Sequence, residues 1–288
     1  MGAVADLHYD NGHNTFQLSY RKAQSHHMPN SHFHSTYEIY YLMSGQRSFF
    51  IRDRTVAMEE GDVVIVSPNI VHRTINAALP EHERLIANIH PSYLGMSSES
   101  AGSTIPAIPV VLQPLIENEY LIVRLSLHDR VAIDELAEGM IREMREQKPG
   151  YEIFTQTLVQ QLLILCCRYA GQGSTQSVAA PSAMHERISE IAQYINRHYM
   201  DDLSLQRVAD QFYISPYYLS RFFKEATGFT FVEYLSSVRI KEAKKLLEQT
   251  PMKVSIIARK VGFGSVTHFG RVFKNVTGRA PLYYRNGR

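Results

Sequence analysis

RFFKEATG (221–228) and RVFKNVTG (271–278) share the pattern R-x-F-K-x-x-T-G at a spacing of 50 residues. Apolar residues extend the match in both directions. Leu219, Phe222, Phe223 and Ala226 correspond to Phe269, Val272, Phe273 and Val276, again 50 apart. Further upstream, Leu205, Val208, Ala209 and Phe212 correspond to Val254, Ile257, Ala258 and Val261, now 49 apart. Steps of three and four place each set on one face of a helix. Each copy therefore reads as a short helix, a tight turn and a second helix, with one extra residue in the second turn. Ser204, Ser215 and Ser265 are suited to cap helix N-termini, and Gly228 and Gly278 to end helices. The back of the chain is thus an all-α unit with two helix-turn-helix motifs.

Opposite the apolar stripe of each second helix the residues are polar and basic. In the first copy these are Tyr217, Ser220, Arg221 and Lys224; in the second they are Val266, Thr267, Gly270, Arg271 and Lys274. A helix entering the major groove needs this division. Side chains near its N-terminus reach base edges, while basic ones further along meet phosphates. Arginine suits guanine because its planar fork donates two parallel hydrogen bonds to O6 and N7. Between the copies, Phe231, Leu235, Val238, Ala243, Leu246 and Leu247 form a stripe over about 18 residues, roughly 27 Å of helix. Successive major grooves on one DNA face lie about 34 Å apart, so one rigid connector can serve two adjacent grooves.

Charge follows the same division. Residues 1–183 hold 13 Lys+Arg and 19 Asp+Glu, a balance of −6, while residues 184–288 hold 17 and 9, or +8. Residues 239–288 alone carry 12 basic and 2 acidic side chains. The formal net charge of +2 hides an acidic front and a back suited to a polyanion. The block from Leu203 to Arg285, through LSLQRVAD, SPYYLSRFFKEATG, VRIKEAKKLLEQT, IARKVGF and RVFKNVTGRAPLYYR, resembles the DNA-binding domain of the AraC/XylS transcription regulators. The second recognition helix departs from that family, opening with Ser265-Val266 where an acidic and then a polar residue are usual. Val266 favours apolar contact, such as with a thymine methyl.

The front half has a different period. YEIYYLM (37–43), RSFFI (47–51), DVVIV (62–66) and RLIANI (84–89) are strand-like runs, punctuated at Ser44-Gly45, Glu60-Gly61 and Pro68-Asn69. Nine of the 13 histidines fall in the first 90 residues. His32-x-His34-x3-Glu38-x6-Gly45 resembles the first cupin motif, and Gly61, His72 and Asn76 resemble the second, with Ser67 and Asn69 departing from its usual proline and glycine. A jelly-roll barrel is expected. Strand alternation points His32 and His34 to one side, puts Glu38, Tyr40 and Leu42 on one shared face, and supplies His72 from a facing strand.

That resemblance implies a small-molecule effector site at His32, His34, Glu38, Tyr40, Arg47, His72 and Asn88, with Tyr37, Tyr41 and Arg73 nearby. The metal ligands of cupins would be His32, His34, Glu38 and His72, a competent set for Zn, Ni, Fe or Mn. The regulator resemblance requires no cofactor. It favours a sugar or related carbohydrate metabolite as effector, and a sensor rather than an enzyme, since no further catalytic pair stands beside the quartet. A metal-dependent cupin enzyme or metal sensor fused to a DNA-binding domain is the alternative.

The divisions expected are a cupin-like sensor (1–128), a helical pair that forms a homodimer (129–170), a linker (171–183) and the DNA-binding domain (184–288). Double-stranded promoter DNA is the expected macromolecular partner, and the family adds RNA polymerase. The adjacent Cys166 and Cys167 provide neither a disulfide framework nor spaced metal ligands. No apolar run approaches the ~20 residues of a membrane span, and MGAVADLHYDNGHNTFQ has no basic n-region or apolar h-region. A reducing cytoplasm is the expected compartment.

Overall fold

The computed structural model describes residues 6–12, 15–23, 36–76, 81–94, 110–171 and 183–285. Its front half is a two-sheet antiparallel barrel. The strands are β1 (Leu7–Asp10), β2 (Phe16–Ala23), β3 (Tyr37–Gly45), β4 (Arg47–Ile51), β5 (Arg54–Met58), β6 (Val63–Val66), β7 (His72–Asn76), β8 (His82–Ile89) and β9 (Tyr120–Val123). One sheet has the order β1-β2-β8-β3-β6-β9 and the other β5-β4-β7. Alternation decides what each strand faces. Tyr40, Leu42, Phe49, Ile51, Val64 and Ile86 meet between the sheets. Ile39, Tyr41, Val63, Ile65, Leu85 and Ala87 point the other way and pack under two helices.

Those helices are α2 (Leu127–Glu146) and α3 (Tyr151–Gly171), preceded by the short α1 (Gln113–Glu117). Ser126 caps α2 by accepting from the Asp129 amide, so the helix starts two residues before the expected boundary. The apolar faces of the pair are spent on their own sheet: Ile133, Met140, Val159, Leu162 and Cys166 are buried there. Fully burying each such side chain contributes about 1.5–3 kcal/mol. Ile153 and Phe154 remain exposed at the start of α3.

The back half contains α4 (Ala183–His198), α5 (Leu205–Gln211), α6 (Pro216–Thr227), α7 (Phe231–Gln249), α8 (Val254–Lys260), α9 (Val266–Thr277) and α10 (Pro281–Arg285). The two helix-turn-helix units are α5–α6 and α8–α9. Ser204, Ser215 and Ser265 cap α5, α6 and α9, each accepting from a backbone amide three residues on. Thr230 and Glu233 form a reciprocal capping box that starts the connector α7. At 19 residues, α7 is roughly 28 Å long.

The two halves share a core. Phe50, on the outer face of the three-stranded sheet, and Val71, just before β7, are buried with Phe223, Phe229, Tyr234 and Val238 of the helical unit. The layers run from α2 and α3, through the larger sheet, the barrel interior and the smaller sheet, to the helix-turn-helix unit. The smaller sheet is therefore one wall shared by the barrel and the helical domain.

Candidate nucleic-acid interface and effector site

On α6 the side chains of Tyr217, Ser220, Arg221 and Lys224 are all exposed, and Leu219, Phe223 and Ala226 are buried beneath them. On α9, Val266, Thr267, Arg271 and Lys274 are exposed, Gly270 is half-buried, and Phe269 and Phe273 anchor the inner face. Both polar faces start at a serine cap, so their first-turn residues stand at the positions that reach bases in a major-groove helix. Two further exposed residues belong to this surface. His268 sits in the first turn of α9, and Tyr213, in the turn before α6, is 93% exposed. His268 lies three residues before Arg271, a helical spacing that was available as a signal; a turn residue such as Tyr213 carries no periodic signal.

The basic excess is smaller on this surface than in the sequence. Arg239 donates to the Tyr199 and Asp201 carbonyls, Lys244 donates to Asn69 at 3.0 Å, and Arg285 donates to the Met252 carbonyl. These three cations hold the fold together. Lys253, Arg259, Lys260, Arg271, Lys274 and Arg279 remain exposed on and around the second helix-turn-helix unit.

The barrel interior holds a buried polar cluster. Glu38 and Tyr40 come from β3, Arg47 from β4, His72 from β7 and Arg84 from β8, each at most 7% exposed. His72 Nε2 lies 3.5 Å from Glu38 Oε1, and its Nδ1 is 2.8 Å from the Ile70 carbonyl. The imidazole stacks on Phe49, with ring centroids 5.9 Å apart. Burial works to lower the His72 pKa, but the Glu38 carboxylate and the Ile70 carbonyl outweigh it and hold it above the ordinary value. Burial pushes the Tyr40 hydroxyl up and both guanidiniums down, and the Arg84 charge adds to the effect on Arg47. Asn88 is half-buried opposite Glu38 on the neighbouring strand, with its Oδ1 3.5 Å from Thr36 Oγ1.

Several expected site residues are placed elsewhere. His32 and His34 lie outside the described residues. Tyr37 and Tyr41 are on the opposite face of β3 from Glu38, packed under α2 and α3, where the Tyr41 hydroxyl donates to Asp134. Arg73 also faces away from the barrel interior. Its guanidinium stacks over Phe229 at 5.5 Å and donates to the Gly228 carbonyl. Odd and even residues of one strand cannot line the same cavity, and that alternation accounts for all three displacements. Arg84 enters the cluster unannounced.

The described residues alone do not make a divalent-metal site. Glu38 and His72 are two of the four expected donors, and His72 is oriented by a carbonyl as metal-bound histidines are. Among the described residues no group of three or more potential ligands comes together. Two guanidiniums share the interior with the single carboxylate of the cluster, and a dication would add to that positive charge.

The contacts across the shared wall reach α4, the first helix-turn-helix unit and the connector. Thr55 donates to the Ala226 carbonyl at 2.6 Å, Tyr234 donates to the Arg52 carbonyl, and Phe50 lies 5.9 Å from Phe229 and 5.7 Å from Tyr234. A cavity of about 430 Å³ sits beside them, lined by Arg52, Asn69, Glu119, Tyr234, Lys241 and Lys244. Gly228, which ends α6 with φ +74°, has no room for a side chain, since a Cβ would fall 2.7 Å from Arg73 Cδ. Its counterpart Gly278 has φ +75° and open space around it. Gly228→Ala and Gly278→Ala should each cost about 1 kcal/mol for the left-handed backbone. Only Gly228→Ala should also displace Arg73, so thermal unfolding should show the larger loss for that variant.

A jelly-roll barrel with a polar interior, sharing a wall with paired helix-turn-helix units, is the architecture of a ligand-responsive transcription regulator. The AraC-like ligand-binding domain model matches residues 14–163 and a helix-turn-helix domain model matches residues 208–287. The chain belongs to the AraC family of transcription regulators. It is 35% identical over 145 residues to the uncharacterised regulator YijO of Escherichia coli K12, covering 50% of each chain. It is 33% identical over 137 residues to the arabinose operon regulatory protein of the same organism, covering 47% of this chain and 45% of the relative. The chain thus spans about half the length of these curated relatives. Among solved structures, the C-terminal domain of AraT, a response regulator from Geobacillus stearothermophilus, is 34% identical. That match covers 37% of this chain and 89% of the AraT domain, with a TM-score of 0.36. ToxT from Vibrio cholerae O395 covers 95% of this chain and 99% of its own at 15% identity, with a TM-score of 0.37. No helix among the described residues is long and apolar enough to cross a membrane.

Proposed function

We propose that this chain regulates transcription by binding promoter DNA through α6 and α9 under the control of a small molecule held in the barrel. One observation carries the reading: the smaller sheet presents one face to the barrel interior and the other to the first helix-turn-helix unit. On β4, Arg47, Phe49 and Ile51 face the barrel while Phe50 enters the helical core. On β7, His72 faces in and Arg73 faces out. A ligand that shifts either strand moves groups in direct contact with α6 and α7. Such a ligand acts only to the extent that it binds one arrangement better than the other. A tenfold change in DNA affinity requires about 1.4 kcal/mol of that difference.

The effector proposed is a sugar or related carbohydrate metabolite, a reading supported by the arabinose operon regulatory proteins among the relatives. A homodimer would double the number of recognition helices and add avidity across two half-sites. The exposed Ile153 and Phe154 of α3 offer apolar surface for that contact. Such a regulator works in the cytoplasm, where promoter DNA and RNA polymerase are found. Footprinting of the full chain on selected DNA should protect two segments one helical turn apart per chain, with the affinity falling steeply as salt rises. Protection of one segment alone would overturn the paired-helix reading.

A further inference from the structure

Among the described residues, the barrel interior holds two guanidiniums close to a single inward-facing carboxylate. Arg84 is 7% exposed, and its Nε and Nη1 atoms have no hydrogen-bond partner among the described residues. Its guanidinium lies 5.8 Å above the Tyr40 ring, inside the barrel. Arg47, 2% exposed, lies against the same tyrosine and close enough for the two cations to oppose one another. Among the described residues the carboxylate of this cluster is Glu38, engaged with His72 at 3.5 Å; Asp6 also acts on Arg84 but is itself paired with Arg21 at 2.6 Å. The stretch 24–35, which carries His32 and His34, contains no aspartate or glutamate. Charged groups at such depth persist when they are paired, and a guanidinium presents a planar fork matched to a carboxylate.

We propose that the effector carries a carboxylate, and that Arg84, with Arg47 beside it, holds that group inside the barrel. This rests on the reading of the barrel as an effector site and names the chemistry it selects. The two guanidiniums against one carboxylate leave an excess of one positive charge, which a monoanion balances. Glu38 and His72 are then left to bond hydroxyls, and the Tyr40 and Phe49 rings supply the apolar walls that small polyols pack against. A sugar acid such as a uronate or aldonate combines these features. A neutral sugar would leave the Arg84 fork without a partner, and a metal ion would compound the excess.

Thermal shift measurements on the full chain would test this with D-glucuronate, D-galacturonate and D-gluconate at constant ionic strength. D-glucose, D-galactose and D-glucuronamide serve as the neutral matches. The wild type should show a saturable rise in melting temperature with at least one acid, with half-saturation at least tenfold lower than for its neutral match. Arg84→Met should weaken that acid by at least tenfold and Arg84→Lys should restore part of it. Without ligand, Arg84→Met should melt no lower than the wild type, because an uncompensated buried cation has been removed. A neutral sugar that binds as well as its acid, or an acid that binds Arg84→Met undiminished, would overturn the proposal. If the neutral sugar also changes DNA affinity, the sensor reading survives while the carboxylate falls. Silence from every compound would count against both.

Discussion

Phe50→Ala should uncouple DNA binding from the barrel. The ring is 1% exposed and wedged between Phe229 and Tyr234, the residues at the junction of α6 and α7. Truncating a buried phenylalanine typically costs 3–5 kcal/mol, the lost transfer energy plus the cavity left behind. Here the cost falls on the contact between two halves that each retain a core, so the docked arrangement is what weakens. The remaining contacts include the hydrogen bonds from Thr55, Arg73, Tyr234 and Lys244, each contributing only about 0.5–1.5 kcal/mol net, together with buried Val71 and the packing of β5 against α4. A loss of about 3 kcal/mol lowers the docking equilibrium constant by roughly a hundredfold. Calorimetry should resolve two unfolding transitions in the variant where the wild type shows one. Any effector-dependent change in DNA affinity should shrink towards nothing. A variant that melts in one step and still responds to ligand would show that the signal travels by another route.

The helical half was legible because its constraints are local. The repeat, three serine caps and two glycine stops lie within a few residues of the turns they make, and each appears at its expected place. In the barrel, parity put Glu38, Tyr40 and Leu42 on one face, but it did not say what covers the other. RSFFI carried that information in part. Consecutive apolar residues at 49 and 50 mark a strand buried on both faces, and the second cover is the helical domain. Arg84 was hidden for a different reason. It sits at the edge of RLIANI, where a charge reads as a strand flank, and a register shift between Leu42 and Ser44 accompanies its pairing with Leu42 on β3. Close by, Gly45 has φ +91°, and a Cβ there would strike the Glu81 carbonyl. No periodicity in one strand reveals a bulge, because a bulge is a property of a pair. Strand β9 and helix α1, four and five residues long, are too short to show a period at all.

Arg221→Ala and Arg271→Ala should each weaken specific DNA binding by about 1–3 kcal/mol, or roughly 5- to 150-fold. Both residues are exposed, with Arg221 resting on Phe222 at 5.4 Å and so held ready in the first recognition helix. The discriminating comparison is with Lys224→Ala and Lys274→Ala. If those lysines meet phosphates, their loss weakens binding to any sequence alike and lowers the salt slope by about one per residue. The arginine variants should instead lose affinity for the selected site while keeping it on random DNA. The copies need not respond equally. Exposed cations crowd around α9, whereas α6 has its C-terminal end docked on the barrel wall. Arg271→Ala should therefore persist whether or not the halves are docked, while the effect of Arg221→Ala should depend on docking and vanish with Phe50→Ala if docking positions α6. With a connector of roughly 28 Å between them, the two arginine effects should add to within about 0.5 kcal/mol in the double variant. A double variant no weaker than the worse single would mean that α6 and α9 do not occupy the DNA at the same time, and that one of them has another role.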